Sequence, residues 1–390
     1  MILHVLQSTP CSRKTTQMEL MHKLGSHVVF RFFLSLGVSV LGGFIFTAIH
    51  TPIPWLLGPM IFMLIGSQIA KLPLLWPTSI RDYGILIVGY SIGLTLTAEA
   101  LQGILHQLPM MLLMTLLLIG LCTLTAYVAS KLTDFDFSSL LVGSIPGGLS
   151  QMVSLAEEMQ SINLTLVTFL QVTRLIMIVF CVPFLLFSPW IGGTAGGGTN
   201  QPIIETATWA ALFPEILLYA PLCIAGAWIA RKLRFPTAFM LGPMIVMCVI
   251  QLSTTMHTPN LPSSLLNISQ LMIGSHVGLM LRPQQLQRKM QTVTLAITSS
   301  VLLIAGSLGL SYILMKIFSL SAATSLLSMA PGGMDQMSIM AHEVNANLSV
   351  VSGYQLFRIL FIFFIVSSLL KMILMRMLRK KETSTRSSVT

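Results

Sequence analysis

The sequence repeats itself once, in the same order, along its length. Four short motifs of the first half return in the second half at offsets of 184 or 185 residues. The pairs are Leu57–Ile61 with Leu241–Ile245, Gly89–Gly93 with Gly274–Gly278, Pro146–Gly148 with Pro331–Gly333, and Gln171–Arg174 with Gln355–Arg358. Chance similarity between apolar stretches does not keep a common offset, so the chain is a tandem duplication. Internal duplication is typical of membrane transporters.

The composition predicts an all-α polytopic membrane protein. The chain is 54% hydrophobic and 9% charged, with a mean hydropathy of +0.84, whereas soluble proteins carry roughly 25% charged residues. Several apolar stretches have the length of about 20 residues that crosses a hydrocarbon core of roughly 30 Å. The lipid bilayer is therefore the predicted surrounding.

The formal charge of +10 does not indicate a nucleic-acid partner. The basic residues lie in short loops and tails, where they set the orientation of membrane helices. No helix-turn-helix, zinc-finger or aromatic-basic pattern accompanies them, so we expect no direct binding to nucleic acid.

The motif positions and a Gly-rich stretch predict the organisation of the chain. We expect a cytoplasmic N-terminal tail at 1–27, a membrane repeat at 28–187, a Gly-rich linker at 188–207, a second membrane repeat at 208–371 and a basic cytoplasmic tail at 372–390.

The basic loops bear on the topology of the two repeats. Each repeat contains six apolar segments, so the repeats are parallel if all six cross the membrane and inverted if five cross. With a cytoplasmic N-terminus and five crossings, the basic clusters at 231–234 and 282–289 both fall on the cytoplasmic side. With six crossings both fall outside. The positive-inside rule favours two inverted repeats of about five helices each, with both termini cytoplasmic.

The Pro-Gly-Gly segment of each repeat is the one expected not to cross as a regular helix. Proline removes a backbone donor and clashes with the preceding turn, and glycine adds backbone freedom. A broken or re-entrant segment exposes backbone polar groups, which are tolerated at membrane depth only inside protein or around a cavity. A simple kinked helix remains the alternative.

Two arginines are predicted deep in the membrane. Arg174 and Arg358 lie about ten residues into their segments, roughly 15 Å deep at the helical rise. A charge at that depth faces the protein interior and needs partners, and a guanidinium suits carboxylate or phosphate. Two interpretations stand: a pair of anion clamps, or structural ion pairs with acids of the neighbouring segment.

Polar residues around these motifs complete the predicted site. We assign solute binding to the arginines together with amides and glycines, namely Gln171, Gln355, Gln151, Gln336, Gly147, Gly148, Gly332 and Gly333. The residues expected to carry a coupling ion are Glu158, Glu343, Asp335 and His342. Glu343 and His342 are candidates for a proton relay, because histidine ordinarily titrates near neutrality. A plain polar residue at a helix end is the alternative for His342. No metal site or cofactor is predicted.

The remaining repeated motifs are expected to pack helices. In Leu57–Ile61 and its counterpart, glycine lets two backbones approach and proline kinks a helix. Gly89–Gly93 and Gly274–Gly278 are small-xxx-small faces, which are common in membrane helices. His276 lies inside the second of these faces, without a visible partner in the sequence.

The doubled Gly-Pro-Met, Pro-Gly-Gly and Gln-x-x-Arg motifs resemble those of the AbrB membrane-protein family over roughly residues 28–375. The resemblance implies a polytopic inner-membrane protein. Members of that family carry two labels, regulator of gene expression and ammonia monooxygenase, without agreed catalytic residues. The eight histidines are dispersed and no dinucleotide fingerprint is present, whereas redox metals need clustered ligands; we therefore expect no enzyme.

The sequence thus predicts a secondary transporter of a small, anionic solute, coupled to H⁺ or Na⁺. A membrane sensor that affects gene expression indirectly is the alternative, and a metal-dependent ammonia monooxygenase is the third. The partner is a small-molecule solute. The oligomeric state is left open, with a homo-oligomer among the alternatives.

Overall fold

The computed structural model describes residues 10–51, 53–159, 162–188, 209, 213, 215–253, 258–280 and 289–375. Within these ranges the secondary structure is helical and contains no strand. The first half has α1 (Pro10–Ala48), α2 (Pro54–Gln68), α3 (Thr78–Thr95), α4 (Ala98–Leu132), α5 (Phe137–Ser144), α6 (Leu149–Glu158) and α7 (Leu164–Leu186). The second half has α8 (Ile216–Lys232), α9 (Ala238–Ser253), α10 (Ser263–Met280), α11 (Lys289–Phe318), α12 (Ala322–Met329), α13 (Met334–Glu343) and α14 (Leu348–Phe361), which continues to residue 375 after the π-helical turn Ile362–Val366.

Five of the described helices are long and apolar enough to cross a membrane. They are Val28–Ala48, Ala98–Leu132, Leu164–Leu186, Met290–Phe318 and Leu348–Met375. These segments fit a polytopic membrane protein. Helix α1 begins at Pro10, inside the range 1–27 assigned to the tail. Except for Ser188, the predicted linker lies outside the described residues, as do residues 376–390 of the tail and the basic positions 282 and 288.

Two equivalent helices of the repeats begin at equivalent N-cap residues. The Asn163 and Asn347 side chains accept from the backbone N–H of Leu166 and Val350, each at 3.1 Å, and so begin α7 and α14. An N-cap side chain satisfies one of the orphan donors of the first turn, worth about 1 kcal/mol. The two capping residues are 184 positions apart, which is the offset of the repeat.

The two halves do not fold side by side. Helices α1–α3 pack with α8–α10, and helices α4–α7 pack with α11–α14. We call the first group the Gly-Pro bundle and the second the Arg bundle. Each bundle therefore takes one part from each repeat, and α3 and α10 lie where the Gly-Pro bundle meets the Arg bundle.

Repeated glycines hold the Gly-Pro bundle together across the two repeats. A Cβ on Gly89 in α3 would lie 2.5 Å from the Met240 carbonyl oxygen in α9. A Cβ on Gly274 in α10 would overlap the Leu56 carbonyl oxygen in α2. The small-xxx-small face of each repeat thus packs on the Leu-Gly-Pro-Met helix of the other. The predicted packing role of both motifs is confirmed.

The Arg bundle contains the two Pro-Gly-Gly segments. The chain is not helical over 145–148 or over 330–333, which separate α5 from α6 and α12 from α13. Ile145 and Ala330, just before the prolines, are extended, with ψ of 128° and 125°. Proline disfavours helical geometry in the residue before it, so each helix ends there.

The two breaks are packed by residues of the opposite repeat. A Cβ on Gly332 would lie 3.1 Å from Ile178 in α7, and one on Gly147 would lie 3.2 Å from Ile362. The two isoleucines are themselves 184 residues apart. Each break therefore packs against a helix of the opposite repeat within the Arg bundle.

Candidate solute site

Arg174 and Gln171 close the end of the short helix α5. The Arg174 Nη1 donates to the Ser144 carbonyl oxygen at 2.9 Å, and its Nη2 donates to the Gln171 Oε1 at 2.5 Å. The Gln171 Nε2 donates to the carbonyl oxygens of Val142 and Ile145 at 3.0 and 2.9 Å. These carbonyls are the unpaired acceptors that a helix leaves at its C-terminus.

Arg358 and Gln355 do the same for α12 in the second repeat. The Arg358 Nη1 donates to the Ala330 carbonyl oxygen at 3.0 Å, and its Nη2 donates to Gly332 O at 3.3 Å and to the Gln355 side chain. The Gln355 Nε2 donates to the carbonyl oxygens of Leu327 and Ala330 at 2.7 and 3.2 Å. The cation also faces the negative end of the helix dipole, which is a favourable position for it.

Of the two interpretations of these arginines, the ion pair with a nearby acid does not occur among the described residues. Their hydrogen-bond partners are carbonyl and amide oxygens. Glu158 instead forms an exposed ion pair with Lys371, and Glu343 accepts from the Gln270 amide at 2.8 Å. The hydrogen bonds therefore give the two arginines a structural role, but their partners are backbone carbonyls rather than carboxylates.

Each guanidinium has one nitrogen, the Nε, that neither a backbone carbonyl nor a side chain of the described residues binds. Arg174 is 6% exposed and Arg358 is 3% exposed. The Nε atoms of both are buried and have no hydrogen-bond partner among the described residues. A buried unpaired donor costs roughly 1–3 kcal/mol, so each arginine can still gain from binding an acceptor.

A cavity of about 800 Å³ lies between the Gly-Pro bundle and the Arg bundle. Small-molecule sites commonly measure about 300–1,000 Å³. The charged groups lining it are Arg81, Asp82, Glu158, Arg174, Arg231, Arg234, Asp335 and Lys371. Five of these eight are basic, so the lining has a cationic excess.

Most of the predicted site residues meet at this cavity. Its lining includes Arg174, Gln171, Gln151, Gln336, Gly147, Gly148, Gly332, Gly333, Glu158 and Asp335. Four predicted residues do not line it: Arg358, Gln355, Glu343 and His342. The two repeats therefore contribute unequally, although their motifs match.

Sequence reasoning missed a polar cluster from the Gly-Pro bundle. Arg81 in α3 binds the Asp82 carboxylate at 2.7 Å, and its Nη1 lies 3.3 Å from the His276 Nε2 in α10. All three side chains line the cavity. The position of His276 inside a repeated small-residue face was the one signal of this contact, because that face predicts close approach of another helix.

No group of three or more histidine, cysteine, aspartate or glutamate side chains that could hold a metal ion occurs in the described part of the chain.

Comparison with known proteins gives the family. The sequence profile of the AbrB family, described as "Transition state regulatory protein AbrB", matches residues 55–374. The chain belongs to the AbrB family. The match covers the Pro-Gly-Gly breaks, both arginines and the Gly-Pro-Met helices, as the sequence resemblance predicted.

Two relatives of the chain align along most of their length. The "Uncharacterized protein YhjN" of Bacillus subtilis (strain 168) is 25% identical over 346 residues, which is 84% of this chain and 89% of that protein. The "Putative regulator AbrB" of Escherichia coli (strain K12) is 27% identical over 318 residues, covering 80% and 88%. Neither name describes an enzyme.

Proposed function

We propose that this AbrB-family chain is a secondary transporter of a small anionic solute, coupled to H⁺ or Na⁺, in the bacterial cytoplasmic membrane. The observation that carries the proposal is the cavity between the two bundles. Both helix breaks, the buried Arg174 and a cationic excess line it. Breaks that line a cavity are the usual form of solute sites in duplicated transporters.

The proposal includes inverted repeats, and the helix directions support it. Gly89 and Gly93 of α3 contact Met240 and Met244 in that order, so α3 runs parallel to α9. Arg81 near the start of α3 contacts His276 near the end of α10, so α3 runs antiparallel to α10. Since α3 and α10 are counterparts in the two repeats, an antiparallel pair is what inversion requires.

The distribution of basic residues supports the same topology. Arg81, Arg231 and Lys371 come from three distant parts of the chain and line one cavity. These are among the positions that inversion assigns to the cytoplasmic side. The cavity would then open to the cytoplasm, where a positive potential attracts anions.

In this mechanism the two arginines have different tasks. Arg174 lines the cavity, so its guanidinium would meet the solute, and Gln151 and Gln336 would orient that solute. Arg358 lies behind the lining and would keep the α12 end neutralised. Asp335 and Glu158 line the cavity and would carry the coupling ion, whereas Glu343 and His342 lie outside the lining. Movement of one bundle against the other would expose the site alternately.

The alternative is a membrane sensor that binds solute in the same cavity without net transport. It is favoured by the names of the family profile and of the E. coli relative, both of which refer to regulation. A regulatory effect would then follow from solute binding rather than from contact with nucleic acid.

Uptake into sealed vesicles separates the two functions. Purified protein is reconstituted in liposomes, and labelled small anions are supplied under an imposed H⁺ or Na⁺ gradient. We expect gradient-dependent uptake that is lost in Arg174→Gln and kept in Lys131→Gln, a matched loss of charge at the exposed end of α4. Anion binding without uptake in either gradient would favour the sensor. Neither binding nor uptake of any anion would overturn the proposed site.

A further inference from the structure

The helices that follow the two Pro-Gly-Gly breaks differ at one matching position. Helix α13 carries Asp335 in its first turn, and α6 has no acidic residue in its first turn. The counterpart of Asp335, 185 residues earlier, is Ser150. Otherwise the two ends share the same cap, Gly148 in α6 and Gly333 in α13.

The N-terminal end of α13 is occupied by its own carboxylate. A Cβ on Gly333 would overlap the Gln336 Oε1 and lie 2.6 Å from the Asp335 Oδ1, so both oxygens lie over the cap residue. The Gln336 Nε2 donates to the other Asp335 oxygen at 3.0 Å. An anion at a helix N-terminus faces the unpaired N–H groups and the positive end of the dipole.

The N-terminal end of α6 borders the cavity at Gly148. Among the atoms that the structure describes, those of Gln151 would be the nearest to a Cβ on Gly148, at 3.9 Å, and Gly148 lines the cavity. The α6 end therefore has the geometry of the α13 end but lacks the tethered anion.

Arg174 is the independent sign of a ligand at this end. Its side chain lines the same cavity, is 6% exposed, and has a buried Nε without a partner among the described residues. Its Nη1 already binds the Ser144 carbonyl, two residues before Pro146, so the guanidinium lies at the same break. Arg358, the counterpart at the occupied end, does not line the cavity.

We propose that the α6 end binds the anionic group of the solute, and that the ionised Asp335 carboxylate fills the equivalent site at α13 as an internal substitute for an anion. This inference rests on the proposed function and narrows its substrate class. With one open end, the site takes a small solute with a single anionic group, such as a short monocarboxylate. A second negative group would meet the ionised Asp335 carboxylate, and like charges repel strongly in a site away from water.

Exchange of the two residues tests this directly. Acetate and succinate binding to the purified full-length protein is measured by titration calorimetry in wild type, Ser150→Asp, Asp335→Ser and the double exchange. Wild type should bind acetate more tightly than succinate. Ser150→Asp should weaken acetate binding roughly tenfold or more, because the new carboxylate fills the α6 end. Ser150→Asn, which adds similar bulk without charge, should stay near wild type.

Two of the variants are expected to gain binding, and misfolding does not explain a gain. Asp335→Ser should tighten succinate binding relative to acetate, and the double exchange should recover the acetate binding lost in Ser150→Asp. If wild type binds acetate but Ser150→Asp binds it equally well, the α6 end is not the site, while anion transport still stands. If the ratio of succinate to acetate affinity is the same in Asp335→Ser as in wild type, the inference is also overturned. If wild type binds no anion at all, the proposed function itself fails.

Discussion

Gln355 is predicted to stabilise the folded protein by satisfying the carbonyl end of α12. Its side chain is fully buried and donates to the carbonyl oxygens of Leu327 and Ala330. Gln355→Met keeps the volume and removes the donor. The Leu327 carbonyl then loses its donor, whereas the Ala330 carbonyl keeps the one from Arg358. A buried carbonyl left unpaired costs roughly 1–3 kcal/mol, so the loss in the free energy of unfolding should be about 1–3 kcal/mol. The lost acceptor for Arg358 moves the expected value toward the upper part of this range.

Equilibrium unfolding of the purified protein in mixed micelles, with increasing SDS, measures this loss. Gln102→Met is the matched control, because Gln102 is exposed on α4, and it should change stability by no more than about 0.5 kcal/mol. Gln171→Met should resemble Gln355→Met, since Gln171 binds the equivalent carbonyls of α5. A Gln355→Met protein as stable as the control would refute the capping argument, because it would mean that these carbonyls need no donor from Gln355.

Three further predictions concern packing, topology and the surface. Gly274→Ala should destabilise the Gly-Pro bundle, because its Cβ would overlap a carbonyl oxygen of α2, whereas Gly120→Ala has open space and should be neutral or stabilising in the same titration; equal effects would contradict close packing. In a cysteine-free background, Lys232→Cys should react with an impermeant thiol reagent only from the cytoplasmic side and Lys316→Cys only from outside, and labelling of both from one side would contradict inversion. Glu158→Gln should cost less than about 1 kcal/mol, because the ion pair with its lysine partner is about half exposed; a larger loss of stability would show that the pair is more than a surface contact.

The local structure of this chain was largely predictable. The apolar segments, the helix ends at Pro146 and Pro331, and the matched caps Asn163 and Asn347 follow from short-range rules that act within a few residues. The burial of Arg174 could be predicted as well, because a charge far into an apolar segment must face the protein interior. Of the two alternatives for that charge, the ion pair with a neighbouring acid does not occur among the described residues, since backbone carbonyls released by a break compete with carboxylates as partners. The anion clamp stays a prediction.

The site was only partly predictable, because equal motifs have unequal surroundings. Arg174 lines the cavity and Arg358 does not, although both stand in the same Gln-x-x-Arg motif. Arg81 and His276 join the site from a bundle that the motifs had marked for packing. Such differences depend on which helices meet across the cavity, and no spacing within one repeat contains that information.

The sequence by itself determined that the chain is duplicated, apolar enough for a membrane, and interrupted by a Pro-Gly-Gly motif in each repeat. Only the tertiary structure decided that the halves exchange their parts, so that each bundle takes helices from both. The physical reason is that a small-residue face fits the Leu-Gly-Pro-Met helix of either repeat equally well in local terms. Which of the two it packs against is decided by the contacts of all the helices together, between residues that lie more than 140 positions apart in the chain.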